Sequence, residues 1–185
     1  MVLLIQGGII MLSPKLETER LILRRWQASD IDVLYEMITD KRLSKFLKIP
    51  NITKEDELKR LQKRIIEADD SLNERWVITE KSTGKIVGKI DVESINKKNN
   101  YCSIGYMLRY EYWGNGYMSE AVKAVANYLL TDRGYYLVEG YCHELNKASS
   151  KVMLNAGFVK DGYIANRRVN DDGTYSGLEY YSKSR

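Results

Sequence analysis

The chain has 185 residues, 44% of them hydrophobic and 29% charged, a balance expected of one globular domain large enough to bury a core. Its net charge of +4 arises from 29 basic and 25 acidic residues that are interspersed along the chain. That mild bias suits an anionic ligand or an acidic partner surface, and is too weak to argue for direct nucleic-acid binding, which usually needs a clustered basic face.

Residues 1–12 are apolar, but they carry no basic segment or small-residue cleavage site and are too few to cross a bilayer. They are expected to form a disordered extension or an edge strand ahead of a domain spanning 13–185. Leu21-Ile22-Leu23 reads as a short strand. Ser29 offers an N-cap to a helix whose apolar face is Ile31, Leu34, Tyr35 and Ile38, with Asp30 and Asp32 in the first turn. A second helix opens at Thr53, with Asp56 three residues on, and runs to about Ala68.

Three strand-like runs follow. Trp76–Thr79 leads through the turn Ser82-Thr83-Gly84-Lys85 into Ile86–Ile95, and the polar turn Asn96–Asn100 leads into Tyr101–Arg109. The pattern then switches to a helix carrying Met118, Ala121, Val122, Val125 and Leu129, with Gly134 in the C′ role. Tyr136–Cys142 is a strand, and Asn146 caps a short helix with Ala148, Val152 and Met153 that stops at Gly157. Two closing strands, Phe158–Val169 and Tyr175–Ser182, flank the turn Asp171-Asp172-Gly173. The order β-αα-βββ-α-β-α-ββ is that of a single mixed α/β domain with helices on both faces of its sheet.

Cys102 and Cys142 lie forty residues apart without a CxxC, and His143 is the one histidine, so no metal site is expected. Both cysteines read as small reduced core residues. With no secretory signal in view, they suggest the cytoplasm.

Gly114-Asn115-Gly116, set between a strand and an amphipathic helix, is the strongest chemical feature. Glycines let the backbone turn tightly, and the first helical turn leaves N–H groups unpaired at the positive end of the macrodipole. Such a site favours a pyrophosphate. The third glycine of a dinucleotide fold and the Gly-Lys-Ser/Thr of a P-loop are both missing.

Four stretches, taken together, are more specific. Leu16–Arg24, Ile104–Leu108, Trp113–Ala121 and the pair Asn146–Ser149 with Asn155–Phe158 resemble, in order and spacing, the GNAT superfamily of N-acetyltransferases, and within it the Rim-type ribosomal-protein branch. The likeness covers about Leu16 to Ser182. It implies acetyl-CoA as cosubstrate and two splayed central strands with the pantetheine arm in the gap. By it, backbone groups of Met107, Leu108 and Arg109 would pair with the arm. Gly114, Asn115, Gly116, Tyr117 and Met118 would take the pyrophosphate, and Asn146 and Ser149 would meet the arm from the other side.

Direct attack by a neutral amine needs no covalent enzyme intermediate. The resemblance offers Ser149 as the group facing the departing sulfur, either as acid or as a hydrogen-bond partner. For the base it offers Asp161 and Glu93, with His143 as a third choice on intrinsic pKa. Two departures stand out: Glu111 replaces the Gln or Arg usual three residues before the first glycine, and Gly177 stands where relatives often carry Asp. The implied acceptor is a primary amine, either a protein N-terminus or a small molecule such as an antibiotic. A non-catalytic acyl-CoA-binding module is the competing class. No membrane partner is expected, and a homodimer is compatible with the family.

Overall fold

The computed structural model describes residues 3–5, 8–10, 13–43, 46, 52–66 and 74–185. The chain divides into two compact units, the first Met1–Val92 with Tyr106–Trp113, the second Glu93–Gly105 with Gly114–Arg185.

In the first unit, β1 (Leu3–Ile5) and β2 (Gly8–Ile10) pair antiparallel as a separate two-stranded sheet. The strands β3 (Leu16–Glu17), β4 (Leu21–Arg24), β5 (Arg75–Glu80) and the opening of β6 (Ile86–Asn96) form an antiparallel run. Alternation is weak here because β5 is buried at four successive positions, and Leu21, Leu23, Trp76, Val77, Ile78 and Val87 are all fully enclosed. Each such side chain contributes roughly 1.5–3 kcal/mol by leaving water. The β5–β6 turn uses Gly84 at φ +69°, a left-handed angle that glycine adopts without strain.

Helix α1 (Ile31–Thr39) starts one residue later than its expected cap. Ser29 lies in a single 3₁₀ turn, and Asp30 instead accepts the Gln27 N–H at 2.8 Å and both guanidinium nitrogens of Arg24 at 2.8 and 3.0 Å. The Arg24 pairing lets that carboxylate be buried. Leu34 and Met37 point into a cluster with Trp26, Val77 and Ile86, which Ile31 and Ile38 flank. Helix α2 (Lys54–Ile66) opens as expected, with Thr53 Oγ1 accepting the Asp56 N–H at 3.1 Å. Its expected end at Ala68, and the loop 47–51 after Phe46, lie outside the described residues.

In the second unit, the end of β6 and the start of β7 (Tyr101–Leu108) are joined by a turn with Asn100 at φ +54°, and the hydroxyls of Ser94 and Ser103 meet at 2.7 Å. Helix α3 (Tyr117–Thr131) buries all five apolar residues expected of it. It is capped at Asp132, so Gly134 (φ +77°) stands just past the C′ place. The strand β8 (Leu137–His143) pairs in parallel with β7 and antiparallel with β10 (Tyr175–Ser184), which carries β9 (Val159–Val169) on its far side. Helix α4 (Lys147–Asn155) lies between β8 and β9 in sequence and buries Met153, while Ala148 is exposed.

The eight strands thus follow the order β3-β4-β5-β6-β7-β8-β10-β9, a mixed sheet with one parallel pair among the registers above. No helix among the described residues is long and apolar enough to cross a membrane.

Candidate functional site

The glycine turn has the geometry its sequence implies. Gly114 (φ +80°) and Gly116 (φ +76°) are both left-handed, and Gly116, which has no side chain, is the N-cap of α3. A Cβ at Gly114 would meet nothing within 4 Å, so the backbone angle, and not crowding by the protein itself, demands glycine there. The Gly116 carbonyl already accepts the Glu120 N–H at 3.1 Å, which leaves the N–H groups at the start of α3 outside the helical ladder.

The strand end before this turn is held by its own neighbours. The Arg109 N–H donates to the Val87 carbonyl at 2.8 Å, so that donor is already engaged within its unit. The Trp113 indole N–H donates to the Leu108 carbonyl at 2.9 Å, and its ring stands 5.1 Å from Tyr110. The Arg109 guanidinium pairs with Glu111 at 2.8 Å and donates to the Ile86 carbonyl at 3.2 Å. The unusual carboxylate of Glu111 is therefore matched with a cation two residues away.

Asn146 is the N-cap of α4, its Oδ1 accepting the Ser149 N–H at 3.1 Å. The Ser149 side chain hydrogen-bonds the Cys142 thiol, which burial, with the Glu179 carboxylate adding to it, pushes up to about 11. Cys142 and Cys102 are both buried free thiols. Beneath α4, Glu179 Oε1 meets Lys160 Nζ at 2.9 Å and Lys147 Nζ at 3.3 Å. Its Oε2 accepts the Tyr181 hydroxyl at 2.8 Å, and Tyr181 in turn contacts the Ser150 hydroxyl at 2.6 Å.

Lys160 foremost holds the Glu179 carboxyl at about 2, below its ordinary 4.5. A carboxylate with a depressed folded-state pKa stabilises fully above its unfolded pKa and loses that contribution as pH falls through the folded one. Unfolding free energy, measured by urea titration, should therefore decline between about pH 4.5 and pH 2. Glu179→Gln should flatten that part of the profile, and an unchanged slope would show that Glu179 is not what titrates.

The candidate bases gather on the opposite side of β8. Strand alternation puts Gly140 and Cys142 on one face and Glu139 and Tyr141 on the other. A Cβ at Gly140 would run into the end of Met153, which marks its face as the one under α4. Glu93 belongs to the other: it lies across Gly105, and its charge acts on Tyr141, whose ring is 5.7 Å from Tyr180. Asp161 is exposed, and its charge acts on Glu139. Burial first, and Asp161 second, raise the Glu139 carboxyl above its usual range. Sequence reasoning passed over Glu139, since a glutamate at an outward strand position carries no signal until the neighbours from β9 are known.

His143 is buried, and its Nδ1 accepts the Leu145 N–H at 3.1 Å, which commits that nitrogen. Gly177 is explained by Tyr163: any Cβ there would enter the Tyr163 ring. Glu144 completes the arrangement, accepting the Gly177 N–H at 2.7 Å and the Tyr163 hydroxyl at 2.8 Å, which hold its carboxyl below the usual range. Among the described residues, no group of three or more His, Cys, Asp or Glu is placed to hold a metal ion.

A family model described as an acetyltransferase (GNAT) domain matches residues 20–159. The chain is 26% identical over 170 residues, 91% of its length and 96% of the relative's, to "Uncharacterized N-acetyltransferase YoaA" of Bacillus subtilis (strain 168). Among solved structures, the ribosomal-protein-S5-alanine acetyltransferase of Vibrio fischeri superposes with a TM-score of 0.82 at 22% identity, covering 92% of this chain and 96% of that one. RimL, a ribosomal L7/L12 alpha-N-protein acetyltransferase in complex with coenzyme A, superposes with a TM-score of 0.81 at 21% identity, covering 94% and 98%.

Proposed function

Since the chain belongs to the GNAT acetyltransferase family and is an N-acetyltransferase, we propose that it transfers acetyl from acetyl-CoA to a primary amine by direct attack. The observation that carries the donor assignment is the left-handed glycine turn feeding the N-terminus of α3, whose N-cap is itself a glycine. Backbone N–H groups of Gly114, Asn115, Gly116, Tyr117 and Met118 hold the pyrophosphate, aided by the macrodipole. The open space around Gly114 fits this role.

The pantetheine arm runs along Met107 and Leu108, with Arg109 fixing the strand end through its bonds to Val87 and Ile86. Asn146 and Ser149 meet the arm from α4.

Acid and base act from opposite faces of β8. Ser149 lies on the Cys142 face and passes its hydroxyl proton to the departing thiolate while taking one from water, so the serine ends neutral. The incoming ammonium loses its proton on the Glu139 face, to Asp161 or Glu93, or to Glu139, whose raised pKa suits proton uptake. The acceptor class is a protein N-terminal amine, the chemistry that the RimL neighbour, an alpha-N-protein acetyltransferase, is named for.

Thiol release from acetyl-CoA should be measured against peptides with free N-terminal alanine or serine and against a panel of small amines. Turnover with the peptides alone supports the proposal, and turnover confined to small amines moves the acceptor class. Tight coenzyme A binding without turnover on any amine would identify an acyl-CoA-binding module instead. Asp161→Asn and Glu93→Gln, assayed across pH, assign the base to whichever loses the alkaline rise in rate.

A further inference from the structure

The peptide that joins Leu108 to Arg109 is held at both ends by groups of its own unit. Its N–H donates to the Val87 carbonyl at 2.8 Å. A trans peptide carries its N–H and C=O in opposite directions, so the Leu108 carbonyl points away from β6. That carbonyl accepts the Trp113 indole N–H at 2.9 Å. The contact closes a short loop on itself. The Tyr112 N–H donates to the Arg109 carbonyl at 3.0 Å and the Trp113 N–H to the Tyr110 carbonyl at 3.1 Å, a single 3₁₀ turn over Tyr110–Tyr112 that returns the indole to the strand end. The Tyr110 ring stands 5.1 Å from the indole, and the Arg42 guanidinium lies 4.6 Å from the Tyr110 ring centre. Trp113 is nevertheless 42% exposed, so burial of its ring does not explain a tryptophan here.

We propose that Trp113 is a positioning residue of the donor site: its indole N–H fixes the Leu108 carbonyl in the orientation that receives an amide N–H of the pantetheine arm. The inference rests on the reading that the arm runs along Leu108. A carbonyl oxygen has two lone pairs, so the bond from Trp113 leaves one for the arm. With Val87 at one end and Trp113 at the other, the peptide is ordered before the arm docks, and docking need not order it. The Arg109 guanidinium adds a third tie through the Ile86 carbonyl at 3.2 Å. Without the indole donor the carbonyl is free to swing, and the arm has to fix it. That loss falls on the part of coenzyme A that touches Leu108 and not on its pyrophosphate.

Titration calorimetry with coenzyme A and with ADP, which has the pyrophosphate and lacks the arm, tests this. Trp113→Phe should weaken coenzyme A about three- to tenfold, the net worth of one hydrogen bond, and leave ADP within about twofold. Benzothienylalanine in place of Trp113 keeps the bicyclic ring and exchanges the N–H for sulfur, so it should reproduce the loss; native affinity in that variant overturns the proposal. It also serves if Trp113→Phe does not fold. A second readout is the Trp113 indole signal in a proton–nitrogen correlation spectrum, assigned by its absence from Trp113→Phe. Its exchange with solvent should be no faster when coenzyme A saturates the protein. Faster exchange would mean that the arm displaces the indole, which contradicts a positioning role.

Coenzyme A affinity that is unchanged or tighter in Trp113→Phe would sink the proposal. So would an equal loss for ADP, which would put the effect in the glycine turn. If coenzyme A does not bind the wild type, or Gly116→Val leaves its affinity unchanged, the donor-site reading falls first. If Gly116→Val weakens coenzyme A and Trp113→Phe does not, the role of Trp113 alone falls.

Discussion

Replacing Gly116 with valine is expected to weaken coenzyme A binding by at least about tenfold, measured by titration calorimetry. Two effects act together. Gly116 sits at φ +76° and ψ 0°, and an L-residue in that region is strained by roughly 1–2 kcal/mol, more if β-branched. Relief of that strain would rotate the first N–H groups of α3 away from the phosphate they are proposed to hold, and about 1.4 kcal/mol is a tenfold loss. The valine side chain would in addition stand where backbone and phosphate must approach closely. Gly116→Asn separates the two effects, because asparagine tolerates the left-handed region. An asparagine variant with native melting temperature and weakened binding would locate the loss in the blocked approach. A valine variant with unchanged affinity would refute the assignment of the turn to the pyrophosphate.

The elements that build this turn were legible because each has a local cause. Met118, Ala121, Val122, Val125 and Leu129 repeat at helical spacing, and all five are buried. Gly84, Gly114, Gly116 and Gly173 stand at turns, and all have positive φ. Thr53 and Asn146 were readable as caps because a cap needs only a side-chain oxygen and an amide two or three residues on. Ser29 misled for the same reason: the local signal was sound, but Asp30 could also pair with Arg24 of the preceding strand. That partner is fixed by the path of the chain, which composition does not reveal.

The chemistry around the sheet was less legible because it depends on register. Nothing in the spacing of Cys142, Ser149 and Glu179 says that they meet; the pairing of β8 with β10 makes Glu179 the neighbour of Cys142. Gly177 gives no local sign of its neighbour, yet Tyr163, fourteen residues earlier, fills the space a side chain would take and carries its hydroxyl to Glu144. Likewise Glu111, which stands where a Gln or Arg is usual, is paired with Arg109. Both Gly177 and Glu111 have a partner within their own unit that spacing alone does not reveal.

Ser149→Ala is expected to lower kcat by about 10²-fold while leaving KM for acetyl-CoA nearly unchanged, the lower end of what a positioned general acid supplies. The split follows from where the interaction forms. The ground-state thioester sulfur is a weak acceptor, so losing the hydroxyl costs little binding; the departing thiolate is strongly basic, so the loss falls on the transition state. The substitution leaves the Asn146 cap intact, because that cap uses the Ser149 backbone N–H and not its hydroxyl. Melting temperature should therefore fall little, and a kinetic defect would not be a folding defect. A rise in KM with kcat preserved would make Ser149 a binding residue for the arm. The proton would then reach the thiolate from water, and transfer to acceptors with more acidic ammonium groups should be no faster in the wild type than in the variant.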